Sequence, residues 1–421
     1  MLKASALYIV IIIALVIALL CSSLIVAAYY YKIEYQQKFR YDHLQNNVSS
    51  GVNILLASQD TSYTSGKTFS LFNNDADSVS LKRISWGIFD IGISRAFIQK
   101  DTLYKTFSIA NAIDSTKWAA LYIIDEDRPI SLSGKTTVRG DAYIPKAGVT
   151  TAYVANEAYK GDKRLIVGTK HNSERKLPIL NKERLEQFQR LLNRTYTNDS
   201  GILKKDSLNQ SFLSETRYAN FKNKAQTIQN IHLSNNIILL SDTTITIDST
   251  ATLNNVLIFA RSIVVKSGFK GNCQLFARDS IRVERNCRFD YPSCIGILRF
   301  KINKKDSQEK IVIGEKSIFN GSVFTYEESE NKLKPLIDLG KNVKIYGQVY
   351  SHGICTYADK VEVKGSLFTS RFLYQSSFSI FENYLINIQL DSKLLSHYYL
   401  SSDLFPGASK NKKTLQWLEA N

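Results

Sequence analysis

Few residues in this chain have the type and spacing that chemistry needs. Its five histidines, at positions 43, 171, 232, 352 and 397, lie far apart, and none stands at metal-ligand spacing from another His or from Cys. Cys21 falls inside an apolar run, while Cys273, Cys287, Cys294 and Cys355 lie later, with no CxxC among them. Two readings of those four stay open: buried free thiols, or two disulfides with three possible connectivities in an oxidising compartment. No GxxxxGK[ST] phosphate loop and no GxSxG nucleophile elbow occurs. Asp338, Asp359 and Glu362 could meet across a turn, at a spacing that singles out no reaction. No catalytic residue, cofactor or metal ligand is therefore expected.

The elements that would carry any function are easier to read. From Ala4 to Tyr31 there is no charge, and Leu7 to Leu20 is almost wholly Ile, Val, Leu and Ala. A run of about 20 apolar residues crosses a bilayer as a helix, whereas the core of a cleaved secretory signal is only about 7–15 residues. A retained single-pass anchor is expected, with Tyr29, Tyr30, Tyr31 and Lys32 as its interfacial belt. Leu44, Val48, Val52 and Leu55 then recur as the stripe of an amphipathic helix, and only Gly51 weakens it. One continuous helix over residues 4–58 would be about 80 Å long.

Lys3 precedes the anchor and Lys32, Lys38 and Arg40 follow it. Charge counting favours translocating the tail, but large domains translocate regardless of flanking charge. The expectation is a single-pass inner-membrane protein with the bulk extracytoplasmic, in the periplasm or at the cell surface. The net charge of +16 suits an anionic partner, yet the basic residues are scattered like those of a solvated surface. No specific nucleic acid is expected.

An internal repeat organises the rest. TTVRGDAYI, SIFNGSVFT, VKIYGQVYS and VEVKGSLFT share one register around Gly140, Gly321, Gly347 and Gly365. Two positions before each Gly stand Val138, Phe319, Ile345 and Val363, and two positions after stand Ala142, Val323, Val349 and Leu367. Residues two apart share a strand face, so each unit is a short strand with an inward stripe and a Gly where the backbone bends. LIFARSIVV and QLFARDSIRV form a second pair. Short strands recurring without helices predict a right-handed parallel β-helix or related solenoid, the alternative being a β-sandwich whose strands share a Gly motif. Carboxylates do not stack in this alignment: six positions before the Gly stand Gly134, Glu315, Lys341 and Asp359. Three positions after it stand Tyr143, Phe324, Tyr350 and Phe368. This aromatic column points away from the inward stripe. It is either buried under an inserted helix or is a stacking face for glycan or a partner subunit.

The expected fold class is mainly β: a long transmembrane and amphipathic helix, then a β-rich head that includes a parallel β-helix and one inserted amphipathic helix. The boundaries read as residues 1–58 for the anchor helix and 59–150 for a β-rich domain holding the first repeat unit. Residues 151–230 form an insertion with a helix at 181–193 capped by Asn181, residues 231–400 form the β-helix-like repeats, and 401–421 form a cap. KTLQWLEAN is expected to close that cap as a short helix.

With its buried-half stretch NVSSGVNILLAS, the first 60 or so residues resemble the type IV pilins and pseudopilins, above all the minor pilins. That resemblance implies a helix that begins in the membrane and ends under a β-rich head. No short leader with a Gly cleavage point precedes the apolar run and no Glu interrupts its start, so pilin-type processing is not expected. The Gly-centred coils over residues 235–375 resemble bactofilins and other polymer-forming β-helices. Together these imply a membrane-anchored structural or assembly protein of the bacterial envelope. Its expected partners are membrane lipid, other envelope or pilus-like assembly proteins, and acidic glycan. Two alternatives are a surface polysaccharide-active lyase- or hydrolase-like β-helix enzyme and a polymerising bactofilin-like scaffold.

Overall fold

The structure is a computed structural model. It describes residues 2–71, 77–154, 156–193, 201–204, 206–300, 308–329, 331–375 and 379–420. The protein is mainly β, with one long N-terminal apolar helix, α1 (Leu2–Ala57), and a second short helix, α2 (Lys182–Asn193). It divides into two compact units. One comprises Met1–Ile84, Gly92–Phe107 and Gln416–Asn421, the other Ser85–Ile91 and Ser108–Leu415.

In the first unit α1 runs without a break through its 56 residues, as a Pro-free sequence of Leu, Ile, Val and Ala allows. Leu44, Val48, Val52 and Leu55 are all buried, as the stripe predicts. They dock near a sheet whose strands follow the order Lys67–Phe69, Asp77–Trp86, Phe89–Ile98, Asp101–Ile113, Ala408–Ala420. Gly51 leaves no room for a side chain. A Cβ there would fall 2.3 Å from Ser94 Oγ and 2.7 Å from Leu81 Cδ2. Ser94 Oγ also donates to the Val48 carbonyl at 2.9 Å, tying sheet to helix. At the helix end the Arg83 guanidinium donates to the carbonyls of Leu55 and Ser58, groups that have no partner within the helix.

The expected C-terminal helix is not there. Ala408–Ala420 is an extended strand hydrogen-bonded beside Asp101–Ile113. Leu415, Trp417 and Leu418 fit either period over so short a run, and the neighbouring strand decides by satisfying the backbone. Trp417 lies against Phe107, with ring centroids 5.5 Å apart.

The second unit is built on a 21-stranded, almost wholly parallel sheet whose extra pairings close it on itself. The glycine register holds: Gly321 pairs with Gly347 and Gly347 with Gly365. The stripes beside them pair likewise, Phe319 with Ile345 and Val363, and Val323 with Val349 and Leu367. All of these apolar residues, with Val138 and Ala142, are buried in one continuous core.

The order of stacking departs from the order of the chain. Strands pair successively from Thr252–Val265 to Glu362–Gln375. The next partners come from earlier in the sequence: Leu367 pairs with Leu121, and Leu390 with Val138. Beyond these, Val138 pairs with Ile166 and Tyr143 with His171. At the opposite end Ser207–Gln210 pairs with His232–Asn235. Parallel pairing thus takes in residues 166–172 and 207–228, on either side of α2, within the span 151–230 expected as an insertion. The stretch between them holds α2, where Asn181 Oδ1 caps by accepting from the Glu183 amide at 3.0 Å, and Leu185 and Phe188 are buried.

Candidate functional site

The aromatic column is longer than the four residues of the repeat. Phe324, Tyr350 and Phe368 stand in register, and the column continues through Tyr122 and Tyr143 to His171. On its other side Phe259 pairs with Phe276. Tyr122 stacks on Tyr143 at 5.2 Å, and Tyr143 on His171 at 4.8 Å. The chain itself covers most of this face. Tyr350 Oη donates to the Pro178 carbonyl at 3.0 Å, and the Glu174 amide donates to Tyr122 Oη at 3.1 Å. Phe188 of α2 sits 4.8 Å from Phe276, and Phe405 lies 5.6 Å from Phe324. Phe324, Tyr350 and Phe368 are buried, and Tyr143 is half-buried. Burial pushes the Tyr350 hydroxyl well above its ordinary value. Sequence reasoning missed Tyr122, Phe259 and Phe276 because their segments lack the central Gly that marked the register, and missed His171 because its segment, though it has Gly168, carries Lys170 where the other units carry an apolar residue.

The four predicted glycines all hold positive φ, from +117° at Gly140 to +147° at Gly365. A Cβ on Gly347 would meet the Gly321 carbonyl oxygen at 2.0 Å, and one on Gly365 would meet that of Gly347 at 1.9 Å. Gly140 has an unpredicted partner in Gly168, whose Cβ would lie 2.2 Å from the Gly140 oxygen. These residues let successive strands approach; they offer no group to a ligand. A second stack also went unread: Asn235 Nδ2 donates to Asn209 Oδ1 at 2.9 Å, and Asn255 Nδ2 to Asn235 Oδ1 at 3.3 Å.

The candidate carboxylates are not brought together. Asp338 Oδ1 accepts from Thr356 Oγ1 at 2.8 Å, and Glu362 forms an ion pair with Lys344 at 3.0 Å. Asp359 stands at a turn, where its carbonyl accepts from the Asn342 amide. Cys273, Cys287, Cys294 and Cys355 are buried free thiols, so the structure holds the first of the two readings. Burial pushes all four up, which makes them poor nucleophiles. Among the described residues no group of three or more His, Cys, Asp or Glu is placed to hold a metal.

The strongest charge cluster serves packing. Arg184 of α2 is buried between Asp90 at 2.7 Å and Asp403 at 2.9 Å, and also donates to the Phe89 carbonyl. A buried guanidinium is tolerated where two carboxylates compensate its desolvation. They hold its already high pKa higher still.

The first part of α1 is exposed along its length. Its large apolar side chains from Leu7 to Tyr31 are all exposed, and its most apolar window has mean hydropathy 3.3 with none of it buried. By length and composition this helix can span a membrane. Tyr29, Tyr30 and Tyr31 are exposed around the helix just before Lys32.

No family model matches the chain, and no curated protein matches it. Among solved structures, the chain is similar to the competence-associated pilin ComZ from Thermus thermophilus, with a TM-score of 0.24 and 9% identity over 85% of this chain and 87% of that chain. A likeness of that degree says nothing further of this chain's fold or role.

Proposed function

We propose that this is a membrane-anchored structural or assembly protein of the bacterial envelope, organised in a pilin-like way. One observation carries the reading. A single unbroken helix passes from an exposed, charge-free apolar stretch at residues 7–31 to a stripe at Leu44, Val48, Val52 and Leu55 that is buried within its own unit. Exposing the first stretch to water would forfeit about 25 cal/mol per Å² of apolar surface, so a lipid core is the environment that suits it. We read the parallel ladders of the second unit as coils of a β-helix, supported by the in-register Gly321, Gly347 and Gly365. The bulk of the chain is read as extracytoplasmic. The separate partners of Asp338 and Glu362 support a structural role over glycan cleavage.

The test removes Met1 to Tyr31. The full chain should stay with membranes through an alkaline carbonate wash, and the truncated chain should be soluble and folded. If the role is assembly at a membrane, the truncated form should fail to restore a deletion strain even when exported at normal abundance. Full rescue by that form would overturn the reading, because a freely diffusing enzyme would still meet its substrate.

A further inference from the structure

Four stacked turns of the second unit carry a column of charges at one position. Val283, Ile313, Leu339 and Tyr357 pair in register at the ends of parallel strands, and two residues beyond them stand Arg285, Glu315, Lys341 and Asp359. Backbone bonds hold this register around the turn. The Asn286 amide donates to the Glu315 carbonyl at 3.0 Å, Lys316 to Lys341 at 2.9 Å and Asn342 to Asp359 at 3.1 Å. The residue after each charge has the same left-handed backbone, with φ +58° at Asn286, +59° at Lys316, +57° at Asn342 and +59° at Lys360. Like turns project their side chains alike, so the column runs plus, minus, plus, minus at a repeat of about 4.8 Å. Arg285, Glu315 and Lys341 are exposed and Asp359 is half-exposed. Elsewhere stacked charges join within the copy, as Lys266 does with Glu284 and Lys344 with Glu362, each at 3.0 Å. Among the described residues none of these four enters an ion pair.

An alternating row with an even number of charges is complementary to itself turned end for end. A two-fold axis crossing the column between Glu315 and Lys341 sets Arg285 against the second copy's Asp359, and Glu315 against its Lys341, each twice by symmetry. The neighbouring column agrees: Asn286 then faces Lys360 and Lys316 faces Asn342, so no like charges are opposed. Parallel docking would instead set Arg285 on Arg285 and Lys341 on Lys341, which is unfavourable. We propose that this column is a two-fold interface through which two copies of the chain join antiparallel along their strand ladders. Exposed ion pairs are individually weak, so the contact is a reversible one. The net charge of +16 repels copies at a distance, and about 0.1 M salt screens that repulsion beyond about 10 Å while leaving the closer pairs in force. The proposal goes beyond anchoring and does not rest on it, since all four charges belong to the second unit.

The test changes the order of the charges and keeps their sum. Lys341→Glu with Asp359→Lys makes the column plus, minus, minus, plus. Arg285→Glu with Glu315→Arg makes it minus, plus, plus, minus. Each variant opposes like charges when paired with itself and opposite charges when paired with the other. Energy transfer between donor- and acceptor-labelled copies of the full chain in detergent reads the association. For the unaltered chain it should rise to saturation with concentration at about 0.1 M salt and fall at about 1 M. Each variant alone should associate at least about tenfold more weakly, and an equal mixture of the two should regain the original strength. Should either variant fail to fold, Arg285→Gln with Lys341→Gln should still weaken association and flatten its salt dependence. No saturable association of the unaltered chain would overturn the proposal. So would variants that associate alone as well as the unaltered chain does, which would place the contact elsewhere. A mixture no stronger than either variant alone would overturn it too, because charge order would then not choose the partner.

Discussion

Gly347 and Gly148 both hold positive φ, +145° and +81°, but in opposite surroundings. A Cβ on Gly347 would collide with the Gly321 oxygen, whereas one on Gly148 would find nothing within 4 Å. Gly148→Ala should therefore cost only the backbone term, roughly 1 kcal/mol. Gly347→Ala should add the steric term and reach about 3 kcal/mol. Urea unfolding of the two variants separates these terms; equal losses would show that strand stacking does not need the glycine. Buried tyrosines give the same scale a pH dependence. Tyr291 donates to the Leu400 carbonyl at 2.7 Å and Tyr357 to the Tyr384 carbonyl at 2.7 Å; Tyr350 and Tyr399 are buried as well. Burial raises all four above the ordinary value of 10.0. A raised folded-state pKa contributes stability that is whole below the unfolded value and is lost as pH climbs past it. Above about pH 10, each of these tyrosines should remove about 1.4 kcal/mol per pH unit. Stability should thus fall steeply between about pH 10 and 11. Tyrosinate absorbance in the still-folded protein that exceeds what its exposed tyrosines, Tyr29, Tyr30, Tyr31 and Tyr398 among them, supply would contradict this.

At the scale of elements, Gly51 shows how a local propensity can mislead. In an exposed helix, replacing Gly usually gains up to about 1 kcal/mol. Here any side chain displaces Ser94 Oγ and Leu81, and with the former goes the bond to the Val48 carbonyl. Gly51→Leu should destabilise the helix–sheet contact by roughly 2–3 kcal/mol, while Asn53→Ala on the exposed side should be neutral or slightly stabilising. A stabilising Gly51→Leu would mean that α1 does not dock through this face. The docking stripe Leu44, Val48, Val52 and Leu55 was legible because helical period and burial coincide over several turns. So was the glycine register, where the spacing of apolar residues on either side matches the strand pleat. The final strand was not legible, since a lone outer strand takes its identity from its neighbour. The cover over the aromatic column was legible only in part: burial under the inserted helix was one of two readings, but the contacts of Tyr122, Glu174 and Pro178 around Tyr350 and Phe368 come from distant parts of the chain. Nothing local to any of these residues announces the meeting.

The chain as a whole carries the largest departure from its linear order, and this has a kinetic consequence. Strands from Thr252–Val265 to Arg288–Arg299 pair with sequence neighbours, so each closes a short loop. Leu121 and Val138 instead pair with Leu367 and Leu390, across some 250 residues in each case. Loop-closure entropy must be met before such a contact returns anything, and distant pairings of this kind are slow. Strand Leu121–Ile123 also has parallel partners only in Glu362–Gln375 and Ala142–Ile144 among the described residues. Of these, Ala142–Ile144 cannot build a core alone. Residues 121–144 should therefore remain unprotected until the later strands have stacked. Pulsed hydrogen exchange during refolding of the full chain in detergent reads this directly. Amides of residues 252–299 should gain protection first, and those of 121–144 and 166–172 last. Arg184→Ala should leave that order unchanged while lowering final stability by about 3 kcal/mol, because it strands Asp90 and Asp403 without their shared cation. Early protection of residues 121–144, before residues 362–391 are protected, would show that this segment folds on its own. The pairing with Leu367 and Leu390 would then be a docking of finished parts rather than the completion of one ladder.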